Sequence, residues 1–169
     1  MYVMKETKSQ IAARKKLVRF ARKLITDGHW VPTGGLYLDN DIYDRLEELP
    51  SAQVSKVFKE YTQCEHCFIG GMNQACVMMY NDIVGMEHSE SSHRMIRFMR
   101  KHVPGITPAI LRACEVIFEH ESSGSSNLSN THKLLDALEQ DDHIKALDAV
   151  LEGFGRGCVG LFSSHDTYL

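Results

Sequence analysis

The chain has 169 residues, of which 43% are hydrophobic and 24% charged, with a formal net charge of -3. These values exclude a disordered chain and leave too little length for two ordinary domains, so we expect one globular domain over residues 1–169. No apolar run approaches the roughly 18 residues that span a bilayer, and the first residues do not resemble a secretory signal. We therefore expect a cytoplasmic protein without a membrane partner, whose five cysteines form no disulfide framework.

Charge is distributed unevenly along the chain. Residues 1–31 carry eight basic side chains and two acidic ones, whereas residues 32–169 carry 11 basic and 20 acidic ones. Such a basic segment can bind nucleic acid, or it can dock on an acidic partner, which can be its own domain or a second copy. The alternative is a helix face that keeps its charges in water. The candidate partner-binding residues are Lys15, Lys16, Arg19, Arg22 and Lys23.

The clearest predicted element is a helix between Thr7 and Gly28. Thr7 and Gln10 are spaced as a capping box, and Gly28 stands where a helix commonly ends in a left-handed residue. Apolar residues at helical spacing give this helix one buried face. They are Ile11, Leu17, Val18, Ala21, Leu24 and Ile25.

Shorter elements are predicted next. Residues 29–38 contain a proline and a glycine pair and should not be helical, although residues 36–38 can form a strand. That strand can pair with residues 159–162 in a two-stranded ribbon. Two short helices are then predicted, over residues 40–49 and 51–61.

The nearly continuous apolar segment over residues 67–80 predicts the central, most buried helix. Further helices are predicted over 92–103 and from Pro108 onward, where Thr107 caps a helix that begins with proline. A last helical segment covers 130–152 and can break near 140–142.

Two segments are predicted to lack regular structure: a mobile loop over the serine-rich residues 122–129 and a flexible tail over residues 163–169. The fold class is therefore all-α, with six to eight helices around the 67–80 segment and at most a small two-stranded β ribbon.

The candidate chemical site is the C-x-x-C formed by Cys64 and Cys67. A thiol pair at a helix start can serve redox chemistry because the helix N-terminus lowers a thiol pKa, but no βαβ pattern surrounds it. With His88 and His93 the pair can instead supply a tetrahedral zinc site. The third interpretation is that the cysteines are small buried core residues. We expect no cofactor, with zinc as the alternative.

No assembled catalytic signature is present, and we predict no catalytic residue. The glycine-rich residues 153–160 lack the pattern of a phosphate-binding loop. Glu115 and Glu119 lie at i, i+4, but the Glu-x-x-His of a di-iron bundle is missing. The sequence thus favours a non-enzymatic interaction protein that binds a protein partner. A zinc- or thiol-dependent protein using Cys64 and Cys67 is the first alternative, and nucleic-acid binding through the basic helix is the second.

The segment from Cys64 and Cys67 to Gly70-Gly71, followed by an apolar helix, resembles an element of small uncharacterised helical proteins of bacteria and phages. In those proteins a Cys-x-x-Gly-Ala-like element starts a central helix, and Gly71 stands where alanine is frequent. The order of Gly35-Leu36-Tyr37-Leu38 and of the late leucine-rich helix is also similar. The resemblance implies an accessory protein of bacterial or phage origin, and it implies no functional residue.

Overall fold

The computed structural model describes residues 5–34, 60, 62–80, 99–119 and 124–153. The chain is mainly helical with a small two-stranded parallel sheet, as predicted. Its elements in chain order are α1 (Lys8–Thr26), β1 (Trp30–Pro32), β2 (Cys64–His66), α2 (Phe68–Tyr80), α3 (Pro108–Phe118), α4 (Gly124–Leu138) and α5 (His143–Gly153). Within these described residues, no helix combines the length and the apolar character needed to cross a membrane.

Helix α1 begins and ends as its sequence predicts. The Thr7 hydroxyl accepts a hydrogen bond from the Gln10 N–H at 3.2 Å, and the Gln10 side chain accepts one from the Thr7 N–H at 2.9 Å, which completes the capping box. At the other end Gly28 has φ +77°, and the His29 N–H donates to the Leu24 carbonyl. One face of α1 is buried in the core, and the opposite face lies in solvent.

The sheet forms between segments that the sequence did not pair. Strands β1 and β2 are parallel, with Trp30 opposite Cys64, Val31 opposite Glu65 and Pro32 opposite His66. The predicted ribbon between residues 36–38 and 159–162 lies outside the described residues. In both observed strands the first and third side chains point inward, which places the indole of Trp30 in the core.

Helix α2 is the central helix. Every residue from Phe68 to Val77 is buried, and the helix packs against α1 on one side and α3 on another. Its Gly71 lies directly under Trp30, whose Nε1–H donates to the His66 carbonyl at 3.1 Å. The lack of a side chain at Gly71 thus makes room for the aromatic ring.

Helix α3 starts at Pro108 after the Thr107 cap, as predicted, with the Ile110 N–H donating to the Thr107 hydroxyl at 3.2 Å. The break between α4 and α5 is also confirmed. Asp142 accepts a hydrogen bond from the Lys145 N–H at 3.1 Å and so caps the start of α5.

The prediction of a mobile loop over residues 122–129 was wrong from Gly124 onward, because α4 begins there. Two asparagines explain the difference. The Asn127 amide donates to the Phe118 carbonyl at 2.9 Å and the Asn130 amide donates to the Ile117 carbonyl at 3.0 Å. These polar side chains therefore satisfy the last carbonyls of α3, which a helix cannot satisfy by itself. The predicted tail over residues 163–169 lies outside the described residues.

Candidate functional site

The two cysteines of the C-x-x-C are buried on either side of a strand-to-helix junction. Cys64 is the first residue of β2, and Cys67 lies between β2 and α2; their exposed fractions are 1% and 3%. The Gln74 amide, itself buried, donates to the Cys64 sulfur at 3.9 Å. The motif therefore faces the core, and no reagent in solvent has direct access to either sulfur.

Glu115 of α3 occupies the N-terminus of α2. Its Oε1 accepts a hydrogen bond from the Ile69 N–H at 2.7 Å, and the Cys67 thiol donates to the same carboxylate. A carboxylate is the group that a helix N-terminus favours electrostatically. The α2 N-terminus is thus capped by a side chain from a residue 46 positions away.

This cap determines the chemistry of the Cys67 thiol. Burial raises the pKa of Cys67 far above its usual value, and the negative charge of Glu115 raises it further. Backbone hydrogen bonds from Gly70 and Ile69 act in the opposite direction but do not outweigh these two effects. Burial also raises the pKa of Glu115. The thiol is held protonated as a hydrogen-bond donor, which is opposite to the low-pKa thiolate that redox chemistry requires.

Two of the four predicted zinc ligands, His88 and His93, lie outside the described residues. Among residues 5–34, 60, 62–80, 99–119 and 124–153, no group of three or more histidine, cysteine, aspartate or glutamate side chains is arranged to hold a metal ion. Zinc at this motif stays a prediction.

Some basic residues of α1 pair with acidic residues of the same chain, and others form no ion pair with a described residue. Three of its five candidate partner-binding residues form ion pairs within the chain, with acidic residues at the end of α4 and in the turn that follows. Arg19 Nε lies 2.9 Å from Glu139 Oε1, Arg22 lies 2.8 Å from Asp136 Oδ1, and Lys15 pairs with Asp141. The acidic partner that the charge distribution implied therefore includes the protein's own α4–α5 region. The remaining two, Lys16 and Lys23, form no ion pair with any residue that the structure describes.

The exposed face of α1 carries what we call the cationic row: Lys8, Lys16, Arg19 and Lys23. These residues recur at intervals that keep them on one side of a helix, and α1 contains no acidic residue. Beside it runs what we call the acidic row: Asp136, Glu139 and Asp141. Two rows of opposite charge thus lie next to each other on one surface of the molecule.

Arg14 has a structural role that the sequence interpretation missed. Its side chain is fully buried, and it donates to the Glu6 carboxylate through Nε and Nη2, at 3.0 and 2.8 Å respectively. The same guanidinium donates to the carbonyls of Leu138, Gln140 and Asp141. It therefore ties α1 to the C-terminal end of α4. A signal was present in the sequence, because position 14 lies three and four residues before Leu17 and Val18 on the apolar face.

His143 extends this buried polar cluster. Its Nε2–H donates to the Gly105 carbonyl at 2.6 Å, and its Nδ1 lies 3.4 Å from the Glu6 carboxylate. Burial lowers the pKa of His143, and the positive charge of Arg14 lowers it further, against the opposing effects of Gly105, Glu6 and Asp142. The cluster joins the residues before α1, the turn before α3 and the start of α5.

Comparisons of the chain with protein-family models, with curated proteins and with solved structures found no match. The resemblance to small helical proteins of bacteria and phages therefore stays a prediction. Any functional proposal has to rest on the arrangement of the described side chains.

Proposed function

We propose that the protein is a non-enzymatic interaction protein that binds a protein partner through the exposed face of α1. Its setting is that of a bacterial or phage accessory factor that modulates the partner. The observation that carries the proposal is the cationic row, which faces solvent along most of α1. A row of exposed like charges guides a complementary partner and fixes its orientation.

The five candidate residues do not contribute equally. Lys15, Arg19 and Arg22 already neutralise carboxylates of the α4–α5 region. Lys16 and Lys23 have no such partner among the described residues and are exposed. We therefore assign the main part of the partner contact to Lys16 and Lys23, with Arg19 between them on the same face.

The chemistry of the C-x-x-C supports a structural role for that motif. Cys67 donates to a carboxylate that caps a core helix, and Cys64 accepts from a buried amide. Both contacts stabilise the junction of β2 with α2, burial and Glu115 keep the Cys67 thiol protonated, and both sulfurs are buried away from any substrate. The motif thereby positions the central helix, against which α1 packs.

The proposal is tested by capture of protein partners from the cells that express the chain. The double variant Lys16→Glu/Lys23→Glu should lose the captured proteins, because four units of charge change on the contact face. Arg112→Glu on α3 is an exposed control outside both rows and should capture them as the unmodified protein does. Each variant is first shown to unfold at the same urea concentration as the unmodified protein. Identical captured proteins for the double variant and the control would refute the proposal.

A further inference from the structure

We propose that a second copy of this chain is one partner of the α1 face, held by contact of each cationic row with the acidic row of the other copy. The inference rests on the proposed function, since it names an occupant for the same face. It follows from the position of the two rows relative to each other.

The rows are parallel in space and opposite in charge. Along α1 the paired residues are Lys15, Arg19 and Arg22, and their partners run backward through Asp141, Glu139 and Asp136. This reversed order shows that α4 runs antiparallel to α1 along the pairs. Lys16 and Lys23 each follow a paired residue by one position, which turns them by about 100° toward solvent. The part of the cationic row from Lys16 to Lys23 therefore lies beside the acidic row.

This arrangement is self-complementary under a two-fold rotation. A closed dimer of identical chains uses the same patch on both copies, so the patch must match itself. A two-fold axis that lies in the interface, parallel to α1 and between the rows, brings the cationic row of each copy onto the acidic row of the other. Both contacts are then attractive, and the two copies are held by two identical sets of ion pairs.

The acidic row keeps the capacity for a second cation. Asp136 and Asp141 have side-chain exposed fractions of 68% and 79% although each is already in an ion pair. An ionised carboxylate has about four lone-pair sites, so one intramolecular cation does not saturate it. Beside Asp141 an open depression of about 610 Å³ gives an incoming lysine space to enter; its charged lining is Glu139, Asp141 and Asp142 together with Lys15 and Lys145.

The same surface is poorly suited to a nucleic-acid duplex. A duplex presents a broad field of phosphates, and one that contacts Lys16 and Lys23 also approaches the exposed carboxylates of Asp136 and Asp141. Repulsion from the acidic row opposes that contact. A protein surface that carries both signs side by side avoids the repulsion, and a second copy of this chain has such a surface.

The test measures molecular mass by sedimentation equilibrium from about 1 μM to about 1 mM protein. We expect a monomer–dimer equilibrium at about 0.02 M salt that shifts to monomer at about 0.5 M salt, where exposed charges are screened. Lys16→Glu/Lys23→Glu should raise the dissociation constant by about tenfold or more, because the new glutamates of each copy then face the acidic row of the other copy. Asp136→Lys/Asp141→Lys should do the same from the other row. Arg112→Glu is the matched control and should leave the constant unchanged.

The decisive sample is a one-to-one mixture of the two double variants. In the mixed pair the new glutamates of one variant face the new lysines of the other, and the two unaltered rows also face each other with opposite charge. A heterodimer should therefore form with about the affinity of the unmodified protein. A mixture that stays monomeric while the unmodified protein dimerises would overturn the proposed row-on-row contact. An unmodified protein that stays monomeric at every concentration would overturn the inference.

Failure of the inference and failure of the proposed function give different results. A monomer that still captures other proteins through Lys16 and Lys23 overturns the inference alone. A monomer that captures no protein overturns both. A labelled duplex of about 20 base pairs that binds the monomer, and is released by Lys16→Glu/Lys23→Glu, would assign the face to nucleic acid and overturn both as well.

Discussion

Substitution of Gly71 by alanine is the sharpest test of how the core holds the β2–α2 junction. An alanine Cβ at this position would overlap the Trp30 ring at Cε2, Cζ2 and Cδ2. The ring is 1% exposed and cannot move into solvent without opening the core. It can be displaced only by losing the bond from Trp30 Nε1–H to the His66 carbonyl, which is part of β2.

The expected loss of stability is about 3 kcal/mol. Overpacking of a close-packed core costs about 2–3 kcal/mol. The lost bond costs about 1–2 kcal/mol, because it leaves the buried Trp30 Nε1–H unsatisfied, although the His66 carbonyl keeps its bond from the Thr33 N–H. The better helix propensity of alanine offsets roughly 1 kcal/mol of this. For a chain of this length such a loss lowers the thermal midpoint by about 10 °C.

The assay is urea and thermal unfolding followed by circular dichroism. Gly153→Ala is the control, because, apart from its own helix turn, no described residue has an atom within 4 Å of the position its Cβ would take, and it should change stability by less than about 1 kcal/mol. Trp30→Leu should remove much of the cost of Gly71→Ala when the two are combined, since the ring is the group that is overlapped. Gly71→Ala with unchanged stability would refute the packing described for Trp30.

Three further outcomes follow from the buried polar groups. Arg14→Lys should destabilise the fold by about 3 kcal/mol, because one ammonium cannot replace a guanidinium that binds Glu6 and three carbonyls. The control Lys16→Met, on the exposed face of α1, should cost less than about 0.5 kcal/mol. Equal urea midpoints for the two variants would contradict the role of Arg14. The pKa of His143 is lower in the folded protein than its ordinary value near 6.5, so between these two pH values the unfolded chain binds more protons than the folded one. The contribution of His143 to stability should therefore be complete above pH 6.5. It should fall as the pH drops from 6.5 through the folded-state pKa. Urea unfolding of the wild type and of His143→Gln at about pH 5.5 and about pH 7.5 isolates this slope, and parallel curves would rule out the titration. Because burial and Glu115 raise the pKa of Cys67, its thiol should react with a disulfide reagent far more slowly in the native protein than in urea, and equal rates in the two states would contradict the buried donor.

Local signals in the sequence were sufficient to predict where α1 and α3 begin. The Thr7–Gln10 capping box and the Thr107–Pro108 start place α1 and α3 within a residue or two of where they begin. Each of these signals acts through hydrogen bonds within one turn, so no knowledge of the tertiary fold is needed. The nearly continuous apolar segment likewise identified α2 as the central helix.

Features that depend on distant residues were missed. The polar residues near Asn127 look like a linker in sequence, and they form a helix because their amides bind the carbonyls that end α3. The pairing of β1 with β2 joins segments 34 residues apart, from Trp30 to Cys64. One of the three interpretations of the C-x-x-C was a thiol activated by the helix start near Cys67, but the carboxylate of Glu115 from α3 occupies that helix start.

The candidate partner face was predicted in part. Charge counting identified the basic helix, but it could not separate residues that pair with the protein's own α4–α5 region from those that remain available. The distinction between Arg22, which binds Asp136, and its neighbour Lys23 requires the position of α4 in space.

The most direct test of the α1 face as an interaction surface is lysine footprinting by mass spectrometry. The protein is acetylated briefly, once as a dilute isolated chain and once in complex with its captured partner, and the modified fraction of each lysine is compared. We predict that Lys16 and Lys23 are modified readily in the isolated chain and are protected in the complex, while the exposed Lys101, which belongs to neither row, reacts alike in both. Equal modification of Lys16 and Lys23 in both samples would show that the partner binds elsewhere and would contradict the proposed function.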